Sequence, residues 1–301
     1  MDYWKSKEME RNRIRTCVTT LTVMLMAWHA GIVLAQQDKG YRLVWSDEFD
    51  VEGRPSHEWS YEHGFVRNEE LQWYQPQNAS VSDGCLVIEG RREHRRNPNY
   101  VAGSHDWRTN REYIDYTSSC LTTRLSQQFM YGRIEVRARI PVTTGAWPAI
   151  WLLGNKWEWP QNGEIDMMEF YVKNGEPSIL ANTCWGSDRK WTAVWDESVT
   201  PLTHFTDRDP AWAEKFHVWR MDWDRHYIRL YLDDELLNET DLNATRNGGY
   251  GGNTENPFAN DVAGFKHYLL LNLAIGSNGG TPDDTRFPLR YYIDYVRVYQ
   301  L

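Results

Sequence analysis

From about residue 41 onward, apolar and polar residues alternate in short runs separated by turn-forming residues. Leu86–Glu89, Tyr131–Ile140, His217–Asp222, Tyr227–Leu232, Tyr268–Ile275 and Tyr291–Tyr299 follow the period of two expected of strands with one buried face. Asp83-Gly84, Asp233-Asp234 and Asn278-Gly279-Gly280 supply turn signals between them. Only the stretch from Pro210 to Lys215 reads as helix, and it is short. The Gly/Asn-rich stretch from Asn247 to Asn256 reads as a flexible loop. Many closely spaced strands predict an all-β sandwich or barrel.

The first 35 residues follow another pattern. Lys5, Lys7, Arg11, Arg13 and Arg15 make a basic start, and an apolar run extends from Val18 to Leu34. Val33-Leu34-Ala35 then precedes Gln36, which predicts a signal peptide cut between Ala35 and Gln36. Thr19, Thr20, Thr22 and His29 make the run a poor spanning helix, so no stable membrane insertion is expected after cleavage. A secreted or periplasmic protein is expected, with residues 36–301 as a single domain. No Pro/Ser-rich linker or internal repeat divides that stretch.

The formal net charge is −9, and about −11 once the leader is removed. That balance excludes nucleic acid and anionic membranes as partners. Sixteen tryptophans exceed what a core of this size requires, so some are expected to line a groove. After residue 35 the cysteines are Cys85, Cys120 and Cys184, and no Cys/His spacing suggests zinc.

The densest chemistry lies in Gly163-Glu164-Ile165-Asp166-Met167-Met168-Glu169-Phe170. Glu164 and Asp166 share a strand face, whereas Glu169 sits an odd number of positions away and should turn inward. One extra residue, a β-bulge at Met167-Met168, would return it to the acidic face. Like charges held this close raise the pKa of at least one carboxyl. Such a set suits a retaining glycoside hydrolase, with an ionised nucleophile and a protonated acid about 5–5.5 Å apart. A solvated acidic strand or a calcium site is the plainer alternative for the bare E-x-D-x-x-E string. Trp147-Pro148-Ala149-Ile150-Trp151 and Trp157-Glu158-Trp159-Pro160 weigh against it, since aromatic faces beside paired carboxylates hold sugar rings.

The run from Gly145 to Phe170 resembles the signature of glycoside hydrolase family 16, in its laminarinase-like branch with the bulged motif. Further similarity lies in Trp45–Phe49, Asn68–Tyr74, Tyr131–Glu135 and Ile293–Tyr299, in the same order. The resemblance implies a concanavalin A-like β-jelly-roll sandwich with a concave substrate cleft, and catalysis without a cofactor. It implies Glu164 as nucleophile, Glu169 as general acid/base and Asp166 as the group that tunes them. Asn68 would reach a sugar hydroxyl, with a turn-forming Asn as the alternative; Glu70 lies beside it. Trp147, Trp151, Trp159 and Trp185 are the candidates for the cleft, with core packing as the alternative for each. A structural calcium away from the cleft is implied at Glu48, Gly84 and Asp294, with oxygens supplied partly through backbone carbonyls.

Laminarinases commonly carry an Arg and a His where this chain has Cys120 and Cys184, and a Cys120–Cys184 disulfide on neighbouring strands is expected as a hypothesis. The leading function is a monomeric endo-acting retaining β-glycanase acting on a polysaccharide, most like a β-1,3- or mixed-linkage β-1,3/1,4-glucanase. Alternatives are an endo-β-galactosidase acting on poly-N-acetyllactosamine, mucin-type glycans or algal galactan, and a carbohydrate-binding sandwich without turnover.

Overall fold

Strict alternation along Gly132–Arg139 and His217–Trp223 buries every second side chain, and both segments are strands. The structure, a computed structural model, describes residues 40–301; the expected leader lies outside the described residues. In chain order the first strands are β1 (Arg42–Asp47), β2 (Ser60–Tyr61), β3 (Gln72–Tyr74), β4 (Ala79–Ser82), β5 (Cys85–Arg96) and β6 (Tyr113–Ser118). Next come β7 (Cys120–Thr122), β8 (Gly132–Arg139), β9 (Ala146–Gly154), β10 (Glu164–Lys173), β11 (Glu176–Gly186) and β12 (Ala193–Pro201). The last are β13 (His217–Trp223), β14 (Tyr227–Leu232), β15 (Glu235–Asp241), β16 (His267–Ile275) and β17 (Leu289–Gln300).

These strands form two sheets. One runs β15-β14-β13-β8-β17-β5-β6-β3, with β1 added on β17 and β4 on β5; the other runs β12-β11-β10-β9-β16-β7-β2. Leu86, Ile134, Val136 and Trp219 from the first meet Ile150, Leu152, Ile165 and Leu271 from the second in one apolar core. The expected all-β jelly-roll sandwich is the observed fold. Each fully buried side chain of this size contributes about 1.5–3 kcal/mol, which makes the interface between the sheets the main stabilising feature.

The second sheet has a different burial pattern. β11 and β16 are buried almost throughout, because their outward side chains pack in further apolar clusters, Tyr268 and Leu270 with Tyr74, Cys120 and Trp151, and Leu180 and Ala274 with Trp147 and Tyr171. This is why Tyr268–Ile275 shows weaker alternation than β8 or β13.

The helix expected between Pro210 and Lys215 is a 3-10 turn, Trp212–Glu214. Single α-turns occur instead at Trp107–Asn110 and Thr203–Thr206, each too short to show a period. The Asn247–Asn256 stretch is tied down rather than loose. Asn247 and Asn256 are buried, Asn247 Nδ2 donates to the Gln161 carbonyl at 2.9 Å, and Asn256 Oδ1 accepts from the Phe258 amide at 2.9 Å.

The expected Cys120–Cys184 disulfide is absent, and all three described cysteines are free thiols. Both lie in the same sheet, but β10, β9 and β16 separate β7 from β11. Four strand steps amount to roughly 19 Å, far beyond the ~7 Å Cα limit for a bridge. Residues 36–301, denatured without reductant, should therefore titrate three thiols. A count of one would overturn this arrangement.

Candidate active site

Glu164, Asp166 and Glu169 come to one face because β10 carries an extra residue. Asp166 pairs with Asn182 and Glu169 with Leu180, so three steps along β10 match two along β11. The same irregularity appears against β9, where Asp166 faces Trp151 and Glu169 faces Ala149. Met167 and Met168 both point into the sandwich core, as the bulge requires. Gly163, immediately before the strand, has φ +74°, and a Cβ there would lie 2.7 Å from Pro257. Only glycine meets both demands.

The three carboxylates line a cavity of about 1050 Å³ on the outer face of the second sheet. Arg67, Asn68, Glu70, Trp147, Trp151 and Trp159 also line it. Each glutamate has its own indole donor. Trp159 Nε1 donates to Glu164 Oε2 at 2.8 Å, and Trp147 Nε1 donates to Glu169 Oε1 at 2.9 Å. Asn182 Nδ2 adds a longer contact of 3.4 Å to Glu169 Oε2. Asp166 is only 2 % exposed, and its Oδ2 has no partner.

Burial raises the Glu164 carboxyl to about 7, against the Trp159 bond, the Arg67 charge and a hydrogen bond with Asp166, all of which favour the anion. Burial also lifts Glu169 to about 7, and the charge on Glu164 pushes it the same way. Asp166 is raised well above the ordinary range, by burial first and then by both glutamates. Protons at neutral pH are therefore distributed unequally. Of the three, Asp166 is the most strongly biased toward its protonated form, and Glu164 has the most support as an anion. Glu169 keeps its proton while Glu164 is charged.

The tryptophans divide into two kinds. Trp147 and Trp151 are mostly buried: Trp147 lies edge-on to Tyr171, and Trp151 Nε1 donates to Asn272 Oδ1 at 2.7 Å. Arg67 stacks 5.0 Å from the Trp151 ring and pairs with Glu62. Trp159 is more open. Trp185 is not in the cleft; it packs in the core between the sheets. Its neighbour Cys184 lies opposite Glu164 on the cleft face, so strand alternation turns Trp185 inward.

Asn68 is exposed with φ +56°, and its Nδ2 donates to Glu70 Oε1 at 3.3 Å. Glu70 is buried, and burial raises its carboxyl above the ordinary value; Gln72 Nε2 donates to Glu70 Oε2 at 2.6 Å. Several cleft residues were not anticipated. Asn272 is a single polar residue inside an apolar run, a signal that could have marked it; Asn182 stands beside Thr183 on β11. Arg67 adjoins Asn68, and Trp191 and Trp195 follow Trp185 in a Trp-rich stretch.

Glu48, Gly84 and Asp294 do converge, around a separate surface hollow. Glu48 is paired with Arg297 and Asp294 with Arg137, and both arginines border the hollow. Among the described residues, no three His, Cys, Asp or Glu side chains are grouped to hold a metal ion. Side-chain carboxylates alone therefore do not make a metal site here; the calcium implied above would also draw on backbone carbonyls. Also among the described residues, no helix is long and apolar enough to cross a membrane.

The profile of Glycosyl hydrolases family 16 matches residues 67–262. The chain is 31% identical to a beta-glucanase of Rhodothermus marinus, over 100% of this chain and 98% of the relative. It is 37% identical, with a TM-score of 0.74, to a structure from work on endo-acting O-glycanases that prominent human gut microbiota express to initiate mucin breakdown; 87% of this chain and 91% of that chain are covered. The laminarinase catalytic domain of Thermotoga maritima follows at 32% identity and a TM-score of 0.68, covering 87% and 98%. With its bulged acidic strand in a concave cleft, the chain belongs to glycosyl hydrolases family 16 and is a glycoside hydrolase.

Proposed function

We propose that this chain is a secreted, monomeric, endo-acting retaining β-glycanase that hydrolyses internal bonds of β-1,3- or mixed-linkage β-1,3/1,4-glucan. The observation that carries the mechanism is the set of three buried carboxylates on one bulged strand, two of them with separate indole donors. Glu164, with the best-supported negative charge, attacks the anomeric carbon. Glu169 gives its proton to the glycosidic oxygen as that bond breaks, leaving a covalent glycosyl ester on Glu164. Glu169 then takes a proton from water, and the water oxygen displaces Glu164, so the β-configuration is retained. Asp166, protonated beside Glu164, steadies the anion before attack and the carboxyl oxygens afterwards. This route uses no cofactor. Secretion is supported by the basic-then-apolar leader.

A second substrate reading has its own support. The O-glycanase structure has a higher identity and TM-score than the laminarinase domain. Cys120 and Cys184 also lie on the cleft sheet where laminarinases carry larger polar residues. A galactose-containing, mucin-type glycan is the substrate under that reading, with the same mechanism. The binding-only alternative has little support, because a lectin-like site gains nothing from three mutually repelling, desolvated acids.

Product analysis of residues 36–301 on laminarin, mixed-linkage β-glucan, agarose, keratan-type glycans and mucin should separate these readings. Oligosaccharides from either glucan are expected; release from galactose-containing polymers alone would reject the glucanase assignment. Glu164→Gln should reduce kcat below about 1 % of wild type with the fold intact. Glu169→Gln should cost about 10²–10⁴-fold on natural substrate and far less on an activated aryl glycoside. Equal losses on both would remove Glu169 from the acid role.

Two pH measurements follow from the raised carboxyls. The kcat/KM profile should be a bell near neutrality, its acid limb from protonation of Glu164 and its alkaline limb from deprotonation of Glu169. On an activated substrate, Glu169→Gln should lose the alkaline limb and keep the acid one.

Stability should fall with rising pH instead of following that bell. A carboxyl near 7 in the folded state and near 4.5 when unfolded favours the fold at low pH and loses that contribution as pH rises through 7. Glu169→Gln should thus match the wild-type Tm at pH 4 and exceed it by roughly 2–6 °C at pH 8. A constant difference across that range would show that the side chain is not desolvated as described.

A further inference from the structure

Most tryptophans in the described chain are buried, but Trp191 and Trp195 are 55% and 46% exposed. Both border the same cavity as the three carboxylates. We propose that Trp191 and Trp195 form a distal sugar-binding subsite on the β12 wall of the cleft. Its ligand is the pyranose rings of the same glycan chain whose scissile bond lies at Glu164 and Glu169. The proposal rests on the glycanase reading and extends it to how a long substrate is held.

The register sets the distance. Trp195 lies opposite Cys184, and Cys184 lies opposite Glu164, so all three share one row across the sheet. Two strand spacings place Trp195 roughly 10 Å from the Glu164 backbone, beyond a sugar seated on the carboxylates. Cys184, fully buried, fills the position between them; in the adjacent row the polar Asn182 and Glu197 face the cleft from β11 and β12, and Lys173 on β10 is paired with Glu197. A chain leaving the carboxylates toward this wall meets hydroxyl-binding groups first and aromatic faces beyond them. Flat apolar faces suit the C–H faces of pyranose rings; the Lys190 ammonium sits 5.3 Å from the centre of the Trp191 ring, a cation partner for that half-exposed indole.

The wall is braced at its base. The Gly186 amide donates to Asn247 Oδ1 and the Gly248 amide to the Gly186 carbonyl, both at 2.8 Å. Asn247 also reaches the Gln161 carbonyl, tying this hairpin to the loop just before Glu164. Gly248 packs so closely that a Cβ would lie 2.6 Å from the Asp188 amide nitrogen. The Ser187 amide closes the turn onto the Thr192 carbonyl at 2.9 Å. Behind β12, Asn238 Nδ2 donates to the Ala181 carbonyl at 2.9 Å and Ser198 Oγ to the Leu237 carbonyl at 2.6 Å. The indoles thus stand on a fixed support, and little ordering is needed for them to bind.

The test compares wild type, Trp191→Ala/Trp195→Ala and Trp191→Phe/Trp195→Phe in residues 36–301. Substrates are laminarin, a length series of its oligosaccharides (or those of whichever polymer wild type cleaves), and a short activated aryl glycoside. The double alanine variant should raise KM on the polymer and longer oligosaccharides by about tenfold or more. It should stay within about twofold of wild type on the aryl glycoside, which does not reach the wall. The phenylalanine variant should recover most of the loss. In a Glu164→Gln background, calorimetry should show the same weakening for long oligosaccharides alone. An unchanged polymer KM, or an equal loss on short and long substrates, would overturn the subsite. A wild-type protein inactive on every polymer would overturn the glycanase reading itself, an outcome visible before any tryptophan is changed.

Discussion

A single surplus residue in β10 is the constraint on which the site depends. Were β10 to pair regularly, with no bulge to absorb that residue, alternation would drive Glu169 into the apolar core and turn Phe170 outward, and a buried unpaired carboxylate there would cost several kcal/mol. With the bulge, Met167 and Met168 fill the core side together, and three acids share the open side. Methionine suits this position because its unbranched side chain adapts to the irregular spacing that a bulge creates. The surrounding sheet then limits where the bulge can lie, since β9 and β11 stay in register with β10 before and after it.

Placing carboxylates together out of water opposes folding, and the neighbouring residues offset that cost selectively. Trp159, the field of Arg67 and the proton on Asp166 support the anion on Glu164. Glu169 has Trp147 and a weaker contact from Asn182, and it also meets the repulsion of Glu164. Two chemically identical side chains on one strand thus come to prefer different protonation states. The sandwich core, remote from this chemistry, supplies the stability that the cleft lowers.

What was legible in the chain follows the physics of strands. Segments with one solvent-facing side, such as β8, β13 and β14, alternate cleanly and were placed within a residue or two. The bulge was readable because the acids themselves break the alternation. Trp185 was misassigned although the same rule places it: with Cys184 on the cleft face, the next residue faces inward. The disulfide could not be judged from sequence, since strands close in sequence need not be neighbours in a jelly roll. Here β16, from near the end of the chain, lies between β7 and β9. The looseness expected of Asn247–Asn256 reflected composition. Its asparagines hold the loop through side-chain bonds that composition does not show.

On the proposed mechanism, chemistry and substrate choice occupy different parts of this cleft. The acids and their indole donors lie on β9 and β10 or in the loop joining them, in the middle of the sheet, and the mechanism needs little else. The flanks carry the individual features. On one side, Arg67 stacks on Trp151 near Cys120, with Glu70 and Asn68 held by their own bonds. On the other, β11 and β12 present Asn182, Glu197 and the two open indoles. Changes on either flank can alter which sugar is held without disturbing the proton balance on β10, because β9 and β11 hold the central register whatever the outer strands carry. The same catalytic strand is therefore compatible with glucan and with galactose-containing chains. The decision between them rests with groups that take no part in bond breaking.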